Sequence, residues 1–148
     1  MNFLGNKDIL NLEKMAFLCS RKVPAEIVLK SYDWAKEQRK KGVCVVCSNH
    51  SQIEKDVFQI LLKGKQPLIL VLARSMKKRL EPIIKEAVEN NRLLIISPFD
   101  KEIKRITRET AEIRNKYIIE ISNKITVAYK TPKGQLNKLL KNIEYDKL

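Results

Sequence analysis

Pro67-Leu68-Ile69-Leu70-Val71-Leu72 is the stretch that decides the fold of this chain. It contains no polar side chain, whereas a strand with one face in water alternates apolar and polar residues. A strand that is apolar throughout is buried on both faces, which is typical of a parallel sheet covered by helices. The stretch therefore predicts an α/β fold.

Other apolar runs lie on both sides of this stretch, at residues 15–19, 43–47, 93–96 and 125–129. Helical patterns separate the runs. Pro24 suits the first turn of a helix and Gly42 suits the position after a helix end, so one helix fits between them. Alternating strands and helices predict right-handed crossovers and a Rossmann-like three-layer α/β/α sandwich with a mainly parallel sheet of about five strands.

The remaining helices are predicted from apolar residues at helical spacing. One ends before Gly64, and the others cover residues 78–90, 102–122 (as one long or two shorter helices) and 135–143. We expect a single domain over residues 1–148. Residues 1–14 form its lead-in, and residues 144–148 are expected to be a flexible tail.

The composition fits a folded, basic protein. Apolar residues make up 44% of the chain, and 30 Lys and Arg against 17 Asp and Glu give a formal charge of +13. Such a field attracts polyanions, although a lysine-rich solvated surface is the alternative explanation. Only four Gly and five Pro occur, which argues against a β-sandwich.

No targeting or membrane segment is recognised in the sequence. No apolar run approaches the roughly twenty residues that span a bilayer, and the first residues lack the pattern of a signal peptide. We therefore expect a cytoplasmic protein that does not bind a membrane. Its three cysteines are then reduced packing residues.

Each apolar run is followed directly by a short polar segment, which we call a corner. The corners are Cys19-Ser20-Arg21, Ser48-Asn49-His50-Ser51, Arg74-Ser75, Ser97-Pro98 and Thr131-Pro132-Lys133-Gly134. If the runs are parallel strands, all five corners lie on the edge of the sheet where open α/β folds bind ligands. Their hydroxyls, backbone N–H groups and cations suit phosphate, so we predict an anion-binding edge.

Two corners stand out. Ser20 and Arg21 offer a hydroxyl and a guanidinium fork ahead of Pro24, although the arginine could simply cover the end of the sheet. Lys133 and Gly134 combine a cation with a close backbone approach beside a helix start, although a plain turn would look the same. The dinucleotide and Walker A patterns are absent, so NAD binding and ATP hydrolysis are not favoured and no cofactor is expected.

Cys44 and Cys47, with His50 nearby, have the spacing of a metal-binding or redox motif. Residues three apart in a strand face opposite sides of the sheet, so the two sulfurs cannot share one ion. We therefore interpret both cysteines as packing residues and predict no metal site. His50 is either a ligand contact or an ordinary loop histidine.

Three segments resemble one protein family. They are residues 3–21, which end in Met15-Ala-Phe-Leu-Cys-Ser-Arg21, Gly42-Val-Cys-Val-Val-Cys-Ser48, and Arg114-Asn115-Lys-Tyr-Ile118-Ile-Glu-Ile-Ser122. They are similar to the lead-in and Ser-Arg corner, the second strand, and the Arg-Asn helix of the DprA/Smf DNA-processing proteins. That family is related to the LOG and lysine-decarboxylase-like group.

The resemblance implies a Rossmann-like domain that binds single-stranded DNA in a basic pocket at the strand ends. It implies that Ser20 and Arg21 contact phosphate, that Arg114 and Asn115 support the pocket, and that Lys133 and Gly134 lie where the related group binds phosphate. Members of the family also dimerise and load a RecA-type recombinase, so a homodimer and such a recombinase are implied partners. Ser48, His50 and Arg74 complete the predicted phosphate-binding set.

The chain departs from the family pattern at several points. Cys19 replaces a glycine, residues 49–52 replace a Gly-rich stretch, and the extra terminal domains of many members are lacking, which argues against RecA loading. The enzymatic relatives carry a helix glutamate where Gln135 to Asn142 contain no acidic residue. A phosphoribohydrolase would lack its acid, which favours binding without catalysis.

Three functions remain open on the sequence. The leading hypothesis is a non-catalytic module that binds single-stranded nucleic acid through its phosphates at the predicted edge, in DNA processing, uptake or recombination. The alternative is a domain that binds a nucleotide or nucleotide derivative there, as a sensor or a phosphoribohydrolase-like enzyme. A partner-binding scaffold with a vestigial pocket is the third.

Overall fold

A single sheet carries all seven strands of the computed structural model, which describes residues 1–148. The strands are β1 (Asn2–Gly5), β2 (Lys14–Cys19), β3 (Cys44–Cys47), β4 (Leu68–Val71), β5 (Leu93–Ser97), β6 (Lys124–Tyr129) and β7 (Asp146–Lys147). Their order across the sheet is β1-β5-β4-β3-β2-β6-β7. The five central strands are parallel, which confirms the predicted sheet.

Five α-helices and one 3₁₀ helix connect the strands. They are the 3₁₀ helix (Lys7–Asn11), α1 (Ala25–Lys41), α2 (Gln52–Leu62), α3 (Pro82–Glu89), α4 (Arg108–Ile121) and α5 (Gln135–Leu139). Helix α1 lies between Pro24 and Gly42 as predicted. Gly42 ends it in the left-handed conformation with φ of 73°, where its N–H donates to the carbonyls of the last turn.

The core lies on both faces of the sheet. On one face, α1, α2 and α3 pack with Trp34, Phe58 and Ile84 against inward residues of the strands. On the other face, α4 and α5 pack with Ile118 and Leu136. Because the central strands are buried on both sides, their sequences are apolar throughout, and the three-layer α/β/α sandwich is confirmed.

The two outermost strands of the sheet differ from the sequence prediction. Residues 2–5 of the lead-in form β1, which pairs antiparallel with β5. The predicted flexible tail contains β7, which pairs with Thr126 and Val127 of β6. Both edge strands are short and mostly exposed, so they lack the apolar run that identifies a buried strand.

Three predicted helices are shorter than expected, among them the last one, which ends at Leu139 instead of residue 143. Residues 78–81 precede α3, and the segment 102–122 contains one helix that begins at Arg108. The loop before α4 contains Ile103 and Ile106 at helical spacing, but its backbone is tied to Ser75 instead. The Ser75 N–H donates to the Ile103 carbonyl at 2.9 Å, and the Ile103 N–H donates to the Ser75 hydroxyl at 2.6 Å.

None of the helices combines the length and the apolar character that a membrane span requires.

Candidate functional site

The order of the strands creates a topological switch point between β2 and β6. From β2 the chain proceeds outward through β3, β4 and β5, and then returns to the other side of β2 to form β6. Crevices at the carboxyl ends of strands that part in this way are where open α/β folds bind ligands. The corners after β2 and β6 flank this crevice.

Ser20 joins the two corners directly. Its N–H donates to the carbonyl of Tyr129 at 2.9 Å, and its hydroxyl accepts a hydrogen bond from the N–H of Thr131 at 2.9 Å. The structure thus brings together the two corners that the sequence ranks highest, although they lie 111 residues apart. Arg21 and Lys133 are exposed beside this contact, so two cations flank one crevice.

The corner after β6 is a tight turn with an unusual occupant. The Gly134 N–H donates to the Thr131 carbonyl at 2.9 Å, and Pro132 stands at the second position of the turn. Lys133, not Gly134, takes the left-handed conformation, with φ of 61°. A side chain there costs roughly 1–2 kcal/mol relative to glycine. Such strain favours a functional reason for the lysine.

We expect Lys133→Gly to raise the free energy of unfolding by ~0.5 kcal/mol, because relief of the left-handed strain exceeds the entropy that glycine loses. Chemical denaturation measures this change. Lys133→Ala is the matched control, since it removes the same cation but keeps the strain, and its stability should not rise. A Lys133→Gly protein less stable than wild type would show that the lysine is not strained.

Gly134 has an ordinary φ but little room. A Cβ atom built on it would lie 3.0 Å from the Thr131 carbonyl oxygen, which is tighter than most such contacts. The turn therefore packs closely at this residue. The predicted role of Gly134, a close backbone approach at the edge, stays a prediction.

A buried carboxylate beneath the corner after β3 was missed from the sequence. Glu54 of α2 is 5% exposed and accepts hydrogen bonds from the Ser48 hydroxyl and, at 2.7 Å, from the Ser51 N–H. Ser51 caps α2, and the two residues form a capping box. The Ser-x-x-Glu spacing was the signal that could have found it.

Arg114 completes this buried group from the opposite side. It belongs to α4, is 4% exposed, and places Nη2 3.7 Å from Oε2 of Glu54. Its Nε donates to Oδ1 of Asn115 at 3.1 Å. Burial lowers the pKa of the Arg114 guanidinium, and the Glu54 carboxylate opposes that shift. The pair thus locks α2 to α4 under the edge.

Three of the predicted site residues are therefore buried and make polar contacts within the protein. The Ser48 hydroxyl is buried and donates to Glu54, so a direct contact between this hydroxyl and phosphate does not fit the structure. Arg114 and Asn115 are buried beneath the edge. Their supporting role in the pocket, which the family resemblance implied, stays a prediction.

His50 is half-buried at the corner after β3. Burial lowers its pKa, and the nearby cations Arg114, Arg21 and Lys55 lower it further, while Glu54 opposes them. The imidazole is therefore neutral at pH 7. His50 follows β3, the neighbour of β2 in the sheet.

We expect affinity for a polyanion to rise about threefold as the pH falls from 7.5 to 5.5, since only below 6.5 does His50 gain its proton and attract phosphate. Between pH 7 and 8 the affinity should stay flat. Binding measured across this range with His50→Asn as the control tests the expectation. If His50→Asn shows the same rise in affinity, another titrating group causes the pH dependence.

Arg74 lies in the corner after β4, half-buried. Its Nε donates to the Ser75 carbonyl at 3.2 Å, and its own carbonyl accepts from the Ser97 hydroxyl at 2.8 Å. The corners after β4 and β5 are thereby fixed to each other. The predicted contact of Arg74 with phosphate stays a prediction.

The cysteines lie in the core as the sequence predicts. Cys44 packs with the α4 side of the sheet, and Cys47 packs with the α1 side, so their sulfurs lie on opposite faces. Burial raises the pKa of the Cys19 thiol to about 12 and that of Cys44 to about 11. Both thiols are protonated at neutral pH and are poor nucleophiles.

Comparison with known proteins places this fold beside DNA-processing proteins. DNA processing protein A from Helicobacter pylori, studied for its single-stranded DNA binding mode, shares 18% identity over 95% of this chain with a TM-score of 0.73. DprA from Streptococcus pneumoniae shares 15% identity over 98% of the chain with a TM-score of 0.72. The chain therefore has a DprA-like fold, as the resemblance predicted.

The match leaves part of each neighbour uncovered. The chain spans 66% of the Helicobacter protein and 52% of the Streptococcus protein. A molybdenum cofactor binding protein from Rippkaea orientalis is also similar, with 11% identity over 88% of this chain, 71% of its own length covered and a TM-score of 0.56. Neither a protein-family model nor a curated protein matches the sequence.

Proposed function

We propose that this chain binds single-stranded nucleic acid through its phosphates, at the crevice between the corners after β2 and β6. The observation that carries the proposal is the contact between Ser20 and Thr131, which sets Arg21 and Lys133 beside one switch-point crevice. Phosphate is the group that such a combination of cations and backbone N–H groups recognises. The site residues are Ser20, Arg21, Lys133 and Gly134, with His50 and Arg74 farther along the edge.

The charge of the whole chain supports the proposal. A formal charge of +13 attracts a polyanion over a longer range than any single contact. Near the crevice, the exposed cations Arg21, Lys22 and Lys133 form no salt bridge within the protein. Cations without internal partners gain most from phosphate, because no existing ion pair has to break.

The fold neighbours support the same class of ligand. The Helicobacter pylori neighbour binds single-stranded DNA, and both DprA proteins share this arrangement of strands and helices. By the same resemblance we propose a role in DNA processing in the cytoplasm, with a homodimer as the assembly; a RecA-type recombinase stays a partner implied by the family resemblance alone.

We propose binding without catalysis at this edge. The acidic residue beneath it, Glu54, already accepts from Ser48 and Ser51 and faces Arg114. A carboxylate held in this way is poorly placed to exchange a proton with a ligand. A nucleotide or nucleotide derivative is the second candidate ligand, favoured by a cavity at the end of β4 that is lined by His50 and Arg74.

The salt dependence of binding tests the proposal. We expect a labelled single-stranded oligonucleotide to bind with a logarithmic slope of about −2 against salt concentration, because about three phosphates would lose their counterions. Fluorescence anisotropy at salt concentrations from about 50 to about 300 mM measures this slope. Affinity that does not fall with salt would exclude phosphate as the main contact.

A further inference from the structure

A cavity opens at the carboxyl end of β4, two strands away from β2. Nine of its sixteen lining residues are apolar, among them Leu72 after β4, Ile84 of α3 and Ile106 in the loop before α4. His50, Arg74 and Arg79 line it as well. A cavity with a mainly apolar lining that also contains some polar groups is the usual form of a site for a small organic ligand.

A nucleobase fits this combination better than a phosphate does. Phosphate is fully hydrated and gains nothing from aliphatic walls, whereas a base has two apolar faces and a polar rim. The aliphatic walls would cover the faces of the base, and the imidazole of His50 and the guanidinium of Arg74 would meet its rim. The sugar and phosphate would stay outside among the exposed cations Lys77 and Arg79.

The cavity lies within reach of a strand bound at the switch point. Only β3 separates β2 from β4 in the sheet, so the two corners are roughly 10 Å apart at the usual strand spacing. The charges of one DNA strand are spaced about 3.4 Å apart along the helix axis and farther apart in an extended strand, so a few nucleotides span this distance. His50 follows β3, so it lies in the corner between these two.

We propose that the cavity at the end of β4 takes one unpaired base from the strand whose phosphates are held at Arg21 and Lys133. The inference rests on the proposed function, which it deepens by adding a base contact to a phosphate contact. Because the apolar walls contain no Phe, Tyr or Trp and offer no base-specific hydrogen bonds, the contact tolerates different bases. The protein then distinguishes strands with exposed bases from duplexes, whose bases are stacked and paired.

Oligonucleotides that lack bases test this inference. We expect wild type to bind an ordinary oligonucleotide about fivefold more tightly than a deoxyribose-phosphate strand of equal length, from the apolar surface that the base buries. Ile106→Trp enlarges a side chain that lines the cavity and should remove this difference while leaving the affinity for the abasic strand unchanged. Ile103→Trp, on the same loop but outside the cavity lining, is the matched control and should keep the difference.

The outcomes distinguish a failure of this inference from a failure of the proposed function. If wild type binds both strands equally, or if Ile106→Trp keeps the fivefold difference, the cavity does not take a base and phosphate binding stands alone. If neither strand binds, the proposed function fails and the inference fails with it. A mononucleotide that raises the unfolding temperature of wild type but not of Ile106→Trp would contradict the inference, because the cavity would then take the base of a free nucleotide and not that of a bound strand. Equal unfolding midpoints of the two variants verify that both are folded.

Discussion

Replacing Glu54 by Gln is expected to lower the free energy of unfolding by about 3 kcal/mol, although the two side chains have nearly the same shape. The change leaves the guanidinium of Arg114, which is 4% exposed, in the core without a counter-charge. A buried charge that loses its partner retains the full cost of its removal from water. Urea denaturation of wild type and variant measures the difference.

An exposed ion pair provides the control. Glu37 and Lys41 lie on the solvent side of α1 with their side chains more than half exposed, so Glu37→Gln should change stability by less than about 0.5 kcal/mol. Arg114→Met added to Glu54→Gln should recover part of the loss, because it removes the unpaired charge. A Glu54→Gln protein as stable as Glu37→Gln would show that the buried pair does not hold α2 to α4.

Local patterns predicted the central part of the fold. The apolar runs became the five parallel strands because burial on both faces leaves no position for a polar residue. Gly42 ended α1 where its left-handed conformation is needed. The loop before α4 misled the prediction, since Ile106 mimics a helix position while it faces the cavity.

The site depended on contacts that no local pattern contains. Ser20 and Thr131 meet only because β6 returns beside β2, and strand order is set by the packing of the whole sheet. The pairing of Glu54 with Arg114 likewise joins residues of separate helices. The sequence identified Ser20, Arg21 and Lys133 as candidates, but it did not show that Ser48 is already bonded internally.

Arg21→Ala is expected to weaken binding of a single-stranded oligonucleotide about tenfold at moderate salt, since a guanidinium contact to phosphate contributes roughly 1.5–3 kcal/mol. The slope against salt should become shallower by about 0.7, the share of one phosphate in single strands. Stability should not change, because Arg21 is exposed and forms no salt bridge. Arg21→Lys should retain part of the affinity, as the charge remains but the fork is lost.

The most direct test compares Arg21→Ala with Lys124→Ala for one labelled oligonucleotide at one salt concentration. Lys124 is exposed at the start of β6, on the opposite edge of the sheet, so its removal lowers the net charge equally without touching the crevice. Charges there are largely screened from the crevice at physiological salt. The switch-point site predicts that Arg21→Ala binds about tenfold more weakly than Lys124→Ala. Equal affinities of the two variants would contradict it, because net charge alone would then account for binding.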